Sequence, residues 1–214
     1  MILKLLEARD PGYFVLALDS PGKGFRKNLY PAYKANRPPA PEDLKCQILR
    51  VKEVFAAYGF AQVGRENYEA DDVIASLVRW AKSQGLKVVV VSADKDLLQL
   101  VDGEVLMYDT MREKVFGVAE TVEKMGVPPK QVRDLLALMG DSSDNVPGVP
   151  GIGVKTAAQL IEEYGDLDGL LQHAEEIKQP KRRQNLCDNA DLARISRDLV
   201  TLRSDVPVEE NIDS

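Results

Sequence analysis

The sequence predicts an α/β layer followed by a helical subdomain, and three features carry that prediction. Short apolar runs alternate with helical patterns over the first 117 residues, as strands and crossover helices of a parallel sheet do. "LKVVVVSA" (86–93) is a continuous apolar, β-branched run, the signature of a buried strand. After Gly117 the strand signals stop and helical segments follow one another with short breaks. The expected division is therefore a core over 1–117 and a helical subdomain over 118–214.

Taken in order, residues 1–9 read as a short helix, and "YFVLAL" (13–18) as a buried strand ending at Asp19. Residues 20–40, rich in Gly, Pro and basic side chains, read as a long excursion of the functional kind. From 41 to 58 the pattern is helical: Pro41 suits the start, and Leu44, Ile48, Val51, Val54 and Phe55 share a face. "FAQVG" (60–64) is a weak strand, 68–84 an amphipathic helix opened by acids, and a short helix follows from Lys95. "EVLMYD" and "KVFG" close the core as two strands. Helices are then expected over 118–126, 128–139, 154–164 and 166–173, with a helical tail from about 180 to 203. A first helix feeding a buried strand is normally a crossover from an earlier strand, so a strand ahead of Met1 is expected to be missing.

The 214 residues are 44% hydrophobic and 29% charged, which suits a folded, soluble chain with no membrane partner. Cys46 and Cys187 have no metal-type spacing and read as reduced thiols of a cytoplasmic protein. The net charge of −6 argues mildly against a nucleic-acid partner. Local charge says otherwise. "KGFRKNLYPAYKANR" (23–37) carries Lys23, Arg26, Lys27, Lys34 and Arg37 with no acid, interleaved with Phe25, Tyr30 and Tyr33. Such a run is either a solvated loop or a funnel in which cations track a single strand and aromatics stack on bases.

Carboxylates gather where an open α/β sheet binds its ligands, beyond the carboxyl ends of the strands. Asp19 ends the first strand; Asp94 and Asp96 follow the strongest one in "SADKD"; Glu69, Asp71 and Asp72 open a helix in "YEADDVIAS"; Asp141 and Asp144 lie in "GDSSDN". Each alone has an ordinary reading as a helix-capping or turn acid. Together they need a cation to relieve their repulsion, and oxygen-only donors favour Mg²⁺ or Mn²⁺. Two such ions suit phosphodiester hydrolysis. Neutralising these eight acids would also remove the chain's acidic excess. In "VPGVPGIGVKTAAQLI" (146–161), Gly151 and Gly153 allow close backbone approach and Lys155 adds charge, so the following helix start suits a phosphate. A plain helix–turn–helix corner is the competing reading. Gly148 and Thr156 complete the candidate contact set.

Taken as an ordered set, "FRKNLYPAYKANRPP", "YEADDVIASL", "SADKDLLQL" and "LLALMGDSSDNVPGVPGIGVKTA" resemble the 5′→3′ exonuclease domain of bacterial DNA polymerase I, within the flap endonuclease superfamily. The resemblance runs from about Asp19 to about Asp205. It implies a PIN-like parallel-sheet nuclease core and a helix-hairpin-helix (helix-three-turn-helix) subdomain. It also implies cleavage of 5′ flaps, nicked duplex and single-stranded 5′ ends in replication and repair, with two Mg²⁺ (Mn²⁺ substituting) and a K⁺ in the hairpin. Asp19, Glu69, Asp71, Asp72, Asp94, Asp96, Asp141 and Asp144 match the family's metal positions. Tyr33, Lys34 and Arg37 match its arch residues near the scissile phosphate, with Arg26 in support. Gly151, Gly153 and Lys155 fall in the hairpin that touches duplex DNA. The family opens with a strand bearing one more ligand and a helix with a phosphate-contacting basic residue, neither of which is matched here. A monomer and a polymerase domain in the full-length protein are the expected context. Two other readings stand beside it: a truncated DNA-binding module with impaired catalysis, and a sugar- or phosphate-handling hydrolase built on "DKD".

Overall fold

The computed structural model describes residues 2–20, 22 and 24–208. Lys23 of the basic run, and Met1 of the first helix, lie outside the described residues. Helix α1 (Ile2–Arg9) leads to β1 (Val15–Ala17), which pairs in parallel with β2 (Ala61–Val63), Val15 opposite Ala61. Between them lie α2 (Gly24–Leu29) and α3 (Glu42–Ala57). The excursion over 20–40 is thus partly helical. Helix α4 (Ala70–Ser83) crosses to β3 (Val88–Val91), and a 3₁₀ turn (Lys95–Leu100) carries the chain to β4 (Val105–Asp109) and β5 (Lys114–Phe116). β3 and β4 are parallel, while β5 returns antiparallel to β4. The described strands form two sheets, with α4 packed against both β1 and β3.

The helical region comprises α5 (Val118–Met125), α6 (Pro129–Met139), α7 (Val154–Tyr164), α8 (Leu167–Gln172), α9 (Pro180–Asp188) and α10 (Ala190–Val200). Helix α6 is its hub, touching α5, α7, α8, α10 and the 3₁₀ turn. Its apolar positions 132, 135, 136 and 138 are all buried, because the neighbours close round it on nearly every side. The tail expected as one helix from about 180 to 203 breaks at Asn189 and ends at Val200.

One continuous core joins the sheet residues Val90, Met107 and Phe116 and the turn residues Leu97 and Leu98 to Leu135, Ile161, Leu170 and Leu199 of the helical region. A smaller core holds Val63 and Val73 together with Val206 and Val208, which return from beyond α10. Helix α3 behaves differently: Leu44, Ile48, Val51 and Val54, the face that its periodicity marks as apolar, are exposed, and no α3 side chain is buried.

The loop between α6 and α7 is fixed by a close backbone approach. A Cβ on Gly148, whose φ is +60°, would sit 2.5 Å from the Gly140 nitrogen. Only glycine suits both the left-handed backbone and the contact. Asp141 and Val146 exchange backbone hydrogen bonds of 3.0 and 2.8 Å across this loop, which presents 141–144 to the sheet edge.

Candidate active site

Four segments bring acids to one place: the exit of β1 (Asp19), the start of α4 (Glu69, Asp71), the exit of β3 (Asp94, Asp96) and the loop after α6 (Asp141, Asp144). The cleft beside β3 has a volume of about 400 Å³. Asp19 Oδ1 accepts the Ala70 N–H at 2.8 Å, tying the first strand to the start of α4. Asp94 caps the 3₁₀ turn by accepting the Asp96 N–H at 3.0 Å.

The charges of these acids are felt across the cleft. Burial, then Asp94, Glu69 and Asp19, push the Asp71 carboxyl up to about 7 against the opposing pull of Lys34. Burial, with Asp94, Asp141 and Asp144, pushes Asp96 up to about 6 although Lys95 lies beside it. Asp141 moves the other way: its burial is outweighed by the hydrogen bond and charge of Lys95 and by the Ser143 N–H.

Basic side chains stand between the acids. Lys34 Nζ lies 2.8 Å from Glu69 Oε2 and 3.6 Å from Asp144 Oδ2, Arg37 pairs with Asp144, and Lys95 with Asp141. Lys34 adopts φ +54°, an uncommon backbone for a side chain this large, held by donation of its N–H to the Asp144 carbonyl at 2.8 Å. The Tyr33 hydroxyl lies 3.2 Å from Glu69 Oε2 and 3.3 Å from Asp144 Oδ2. Burial and the Glu69 charge raise its pKa, so it keeps the single proton that it can give to either carboxylate.

Three expectations are corrected. Tyr33 is only 4% exposed and Phe25 is held between the guanidiniums of Arg26 and Arg203, at 4.6 and 4.7 Å, so neither offers a face to a base. Tyr30 packs against the core as well. Asp72 is turned away from the cleft, and Arg26 reaches the acids from behind, its Nη1 lying 3.8 Å from Glu69 Oε2. Asp72 is 0% exposed, and Arg26 donates to its two oxygens at 2.6 and 2.8 Å. One residue further along a helix turns a side chain by about 100°, which takes Asp72 to the inward face beside Val73 while Asp71 points to the cleft. Gly148 is buried, with its N–H donated to Ser196 Oγ at 2.9 Å, so it shapes the loop from within. Gly151, Gly153 and Lys155 are exposed at the start of α7, Thr156 is half-buried, and Asn185 braces the hairpin through a 2.7 Å bond to the Pro150 carbonyl. The structure also adds Lys95, Arg112 and Lys124 to the cleft wall. Lys95 was visible inside "SADKD". Arg112, in the β4–β5 turn, and Lys124, on α5, belong to no motif.

Among the described residues, no three of these acids close on one point tightly enough to hold an ion unaided. The donor set nevertheless suits a hard divalent cation: it is all oxygen, and it is short of positive charge at Asp71 and Asp96. Asp96 Oδ1 is buried, accepts no hydrogen bond, and has Lys95 Nζ only at 3.6 Å. Among the described residues no helix is long and apolar enough to cross a membrane.

Residues 1–126 match the family described as 5′-3′ exonuclease, N-terminal resolvase-like domain, and 127–214 the one described as 5′-3′ exonuclease, C-terminal SAM fold. The DNA polymerase I of Rhizobium leguminosarum is 51% identical over 100% of this chain and 22% of its own length. A 5′-3′ exonuclease of Aquifex aeolicus is 39% identical, over 98% of this chain and 71% of its own. The chain thus spans about a quarter of the polymerase relatives, 22% and 26% of the first two. Among solved structures, T5 5′-exonuclease with bound divalent zinc is 26% identical at a TM-score of 0.84, over 95% of this chain and 79% of that one. The catalytic core of Rad2 with DNA substrate, 16% identical at 0.57 over 86% of this chain and 64% of its own, shares the fold.

Proposed function

The chain belongs to the 5′-3′ exonuclease family, and from that premise we propose that it hydrolyses DNA phosphodiesters at 5′ flaps, nicks and single-stranded 5′ ends. The observation that carries this reading is the mutual approach of seven carboxylates from four segments, with Lys34 paired to Glu69 and Arg37 to Asp144 among them. Asp19, Glu69, Asp71, Asp94, Asp96, Asp141 and Asp144 are the residues that would hold Mg²⁺ or Mn²⁺. When bound, two such ions supply a lowered water pKa and charge stabilisation at the attacking and leaving oxygens. Lys34 and Arg37 compete with a dication for the same carboxylates, so each is free to turn to a phosphate once that charge is met. Tyr33 holds Glu69 and Asp144 by its hydroxyl. Gly151, Gly153, Lys155 and Thr156 would take the duplex backbone at the α7 start, with a K⁺ in the hairpin. The protein would act as a cytoplasmic monomer in replication and repair, with a polymerase domain as its companion.

The looseness of the acid cluster, in which no three close on one point among the described residues, favours a second reading as a branched-DNA-binding module with weak catalysis. One experiment separates the two. A flap DNA labelled at its 5′ end is incubated with the chain in Mg²⁺, in Mn²⁺ and in EDTA. Cleavage that needs metal and is lost in Asp94→Ala supports the nuclease. Tight binding without cleavage in either metal supports the module.

A further inference from the structure

From the last turn of α10 onward, residues 199–206 run back across the molecule and are laced to the rear of the carboxylate cleft. Arg26 donates its Nε–H to the Leu199 carbonyl at 2.7 Å and a terminal N–H to the Thr201 carbonyl at 3.0 Å. It also donates to both Asp72 carboxylate oxygens. Asp72 Oδ1 also accepts the Arg203 N–H at 2.8 Å. One turn along α4, Ser76 Oγ accepts the Val206 N–H at 3.0 Å and donates to the Asp72 carbonyl at 2.9 Å. Every one of these partners is on α2, on α4 or in the returning segment.

Two buried opposite charges joined by paired hydrogen bonds form a geometrically demanding unit, because the planar fork of Arg26 must meet fixed acceptors. α2 leads directly into Tyr33 and Lys34, and α4 begins at Glu69 and Asp71. We propose that Arg26 and Asp72 are a buckle: they fasten residues 199–206 to both helices, and so set the place of Glu69, Asp71, Tyr33 and Lys34 from behind the cleft. Asp72 is then a positioning residue and holds no metal. The inference takes its catalytic readout from the nuclease reading above, and its structural readout stands without it.

The test compares Asp72→Asn and Ser76→Ala with Asp71→Asn in the full chain, the second variant serving if Asp72→Asn fails to fold. Mn²⁺ binding is counted by calorimetry, flap cleavage is resolved into kcat and KM, and amide exchange is followed at 69–73 and 201–206. The buckle predicts that Asp72→Asn leaves the number and affinity of Mn²⁺ ions unchanged and KM for DNA unchanged. It predicts that kcat falls about 100-fold, the scale of a roughly 1 Å misplacement. Ser76→Ala should give a smaller fall of the same kind, and both variants should quicken exchange in the two segments together. Loss of Mn²⁺ in Asp72→Asn to the extent seen in Asp71→Asn would overturn the proposal. So would exchange that quickens in only one of the two segments. If the unaltered chain cleaves nothing, the nuclease reading fails by itself, and the exchange data still decide the buckle.

Discussion

Helices α3 and α6 carry the same kind of sequence pattern and meet opposite fates. Both show apolar residues at three- and four-residue spacing. In α6 that face is sealed by α10, α7, α8 and the 3₁₀ turn; α3 packs against β2, and its Leu44, Ile48, Val51 and Val54 face outward. Periodicity reports that a helix forms, since it is a property of the segment. Burial depends on what the rest of the chain places opposite. Helix α6 is followed by a loop locked at Gly140 and Gly148 that throws α7 back against it, whereas α3 is preceded by the turn of 31–37, whose contacts run to the 141–144 loop and leave the helix itself unclasped.

The comparison can be broken most forcefully at the lock. Gly148→Ala should cost about 3–5 kcal/mol, since a Cβ must both adopt a left-handed backbone and displace Gly140. A denaturation midpoint within experimental error of the parent would remove the lock from the account. Next, Leu135→Ala on α6 should lose about 2–5 kcal/mol, the usual cost of a buried leucine truncation. The matched change Ile48→Ala on α3 should stay within about 0.5 kcal/mol. Equal losses from the two in urea unfolding would mean that α3 is covered in solution. A small effect is also expected at Asp168 on α8, which pairs with Arg197 of α10 at 2.7 Å. The hydrogen bond from Arg197 lowers its pKa below the ordinary 3.8. A carboxylate lowered on folding contributes stability that is full above that ordinary value and lost as pH falls through the folded one. Asp168→Asn should therefore cost about 0.2–1 kcal/mol near neutrality, shrinking with added salt and vanishing in acid. Thermal melts across pH would show a flat difference instead if the pair contributed nothing.

Much of the site was legible because its residues come as local motifs at the places a parallel sheet reserves for ligands. Asp19 and Asp94 follow strands, and "YEADDVIAS" opens a helix at the same edge. What escaped was direction. Asp71 and Asp72 are indistinguishable by type, yet Asp72 shares its helix face with the buried Val73 and Ser76, and the i+4 relation of Ser76 to Asp72 was a usable signal. The two Pro-Gly pairs of 147–151 look alike, but Gly148 meets Gly140 and Gly151 meets solvent, a difference set by a helix that precedes them. Phe25 and Tyr33 read as stacking platforms because they alternate with cations; Arg203, far along the chain, closes over Phe25. Arg112 and Lys124 were invisible for the same reason, since two separate segments, the β4–β5 turn and α5, bring them to the wall.

The return of Val206 and Val208 to Val63 and Val73 has a bearing on synthesis. A core that pairs residues 63 and 73 with residues 206 and 208 cannot close until the last of these has been made. Arg26 waits for a carbonyl 173 residues later. Until residues 206 and 208 arrive, Val63 and Val73 are covered only in part, by Val15, Ala17, Tyr68 and Leu77. Contacts of such long separation slow folding, because loop closure must precede the gain. The hydrogen bonds of Arg26 and Asp72 behind the acids are then complete only once residues 199–203 have been made.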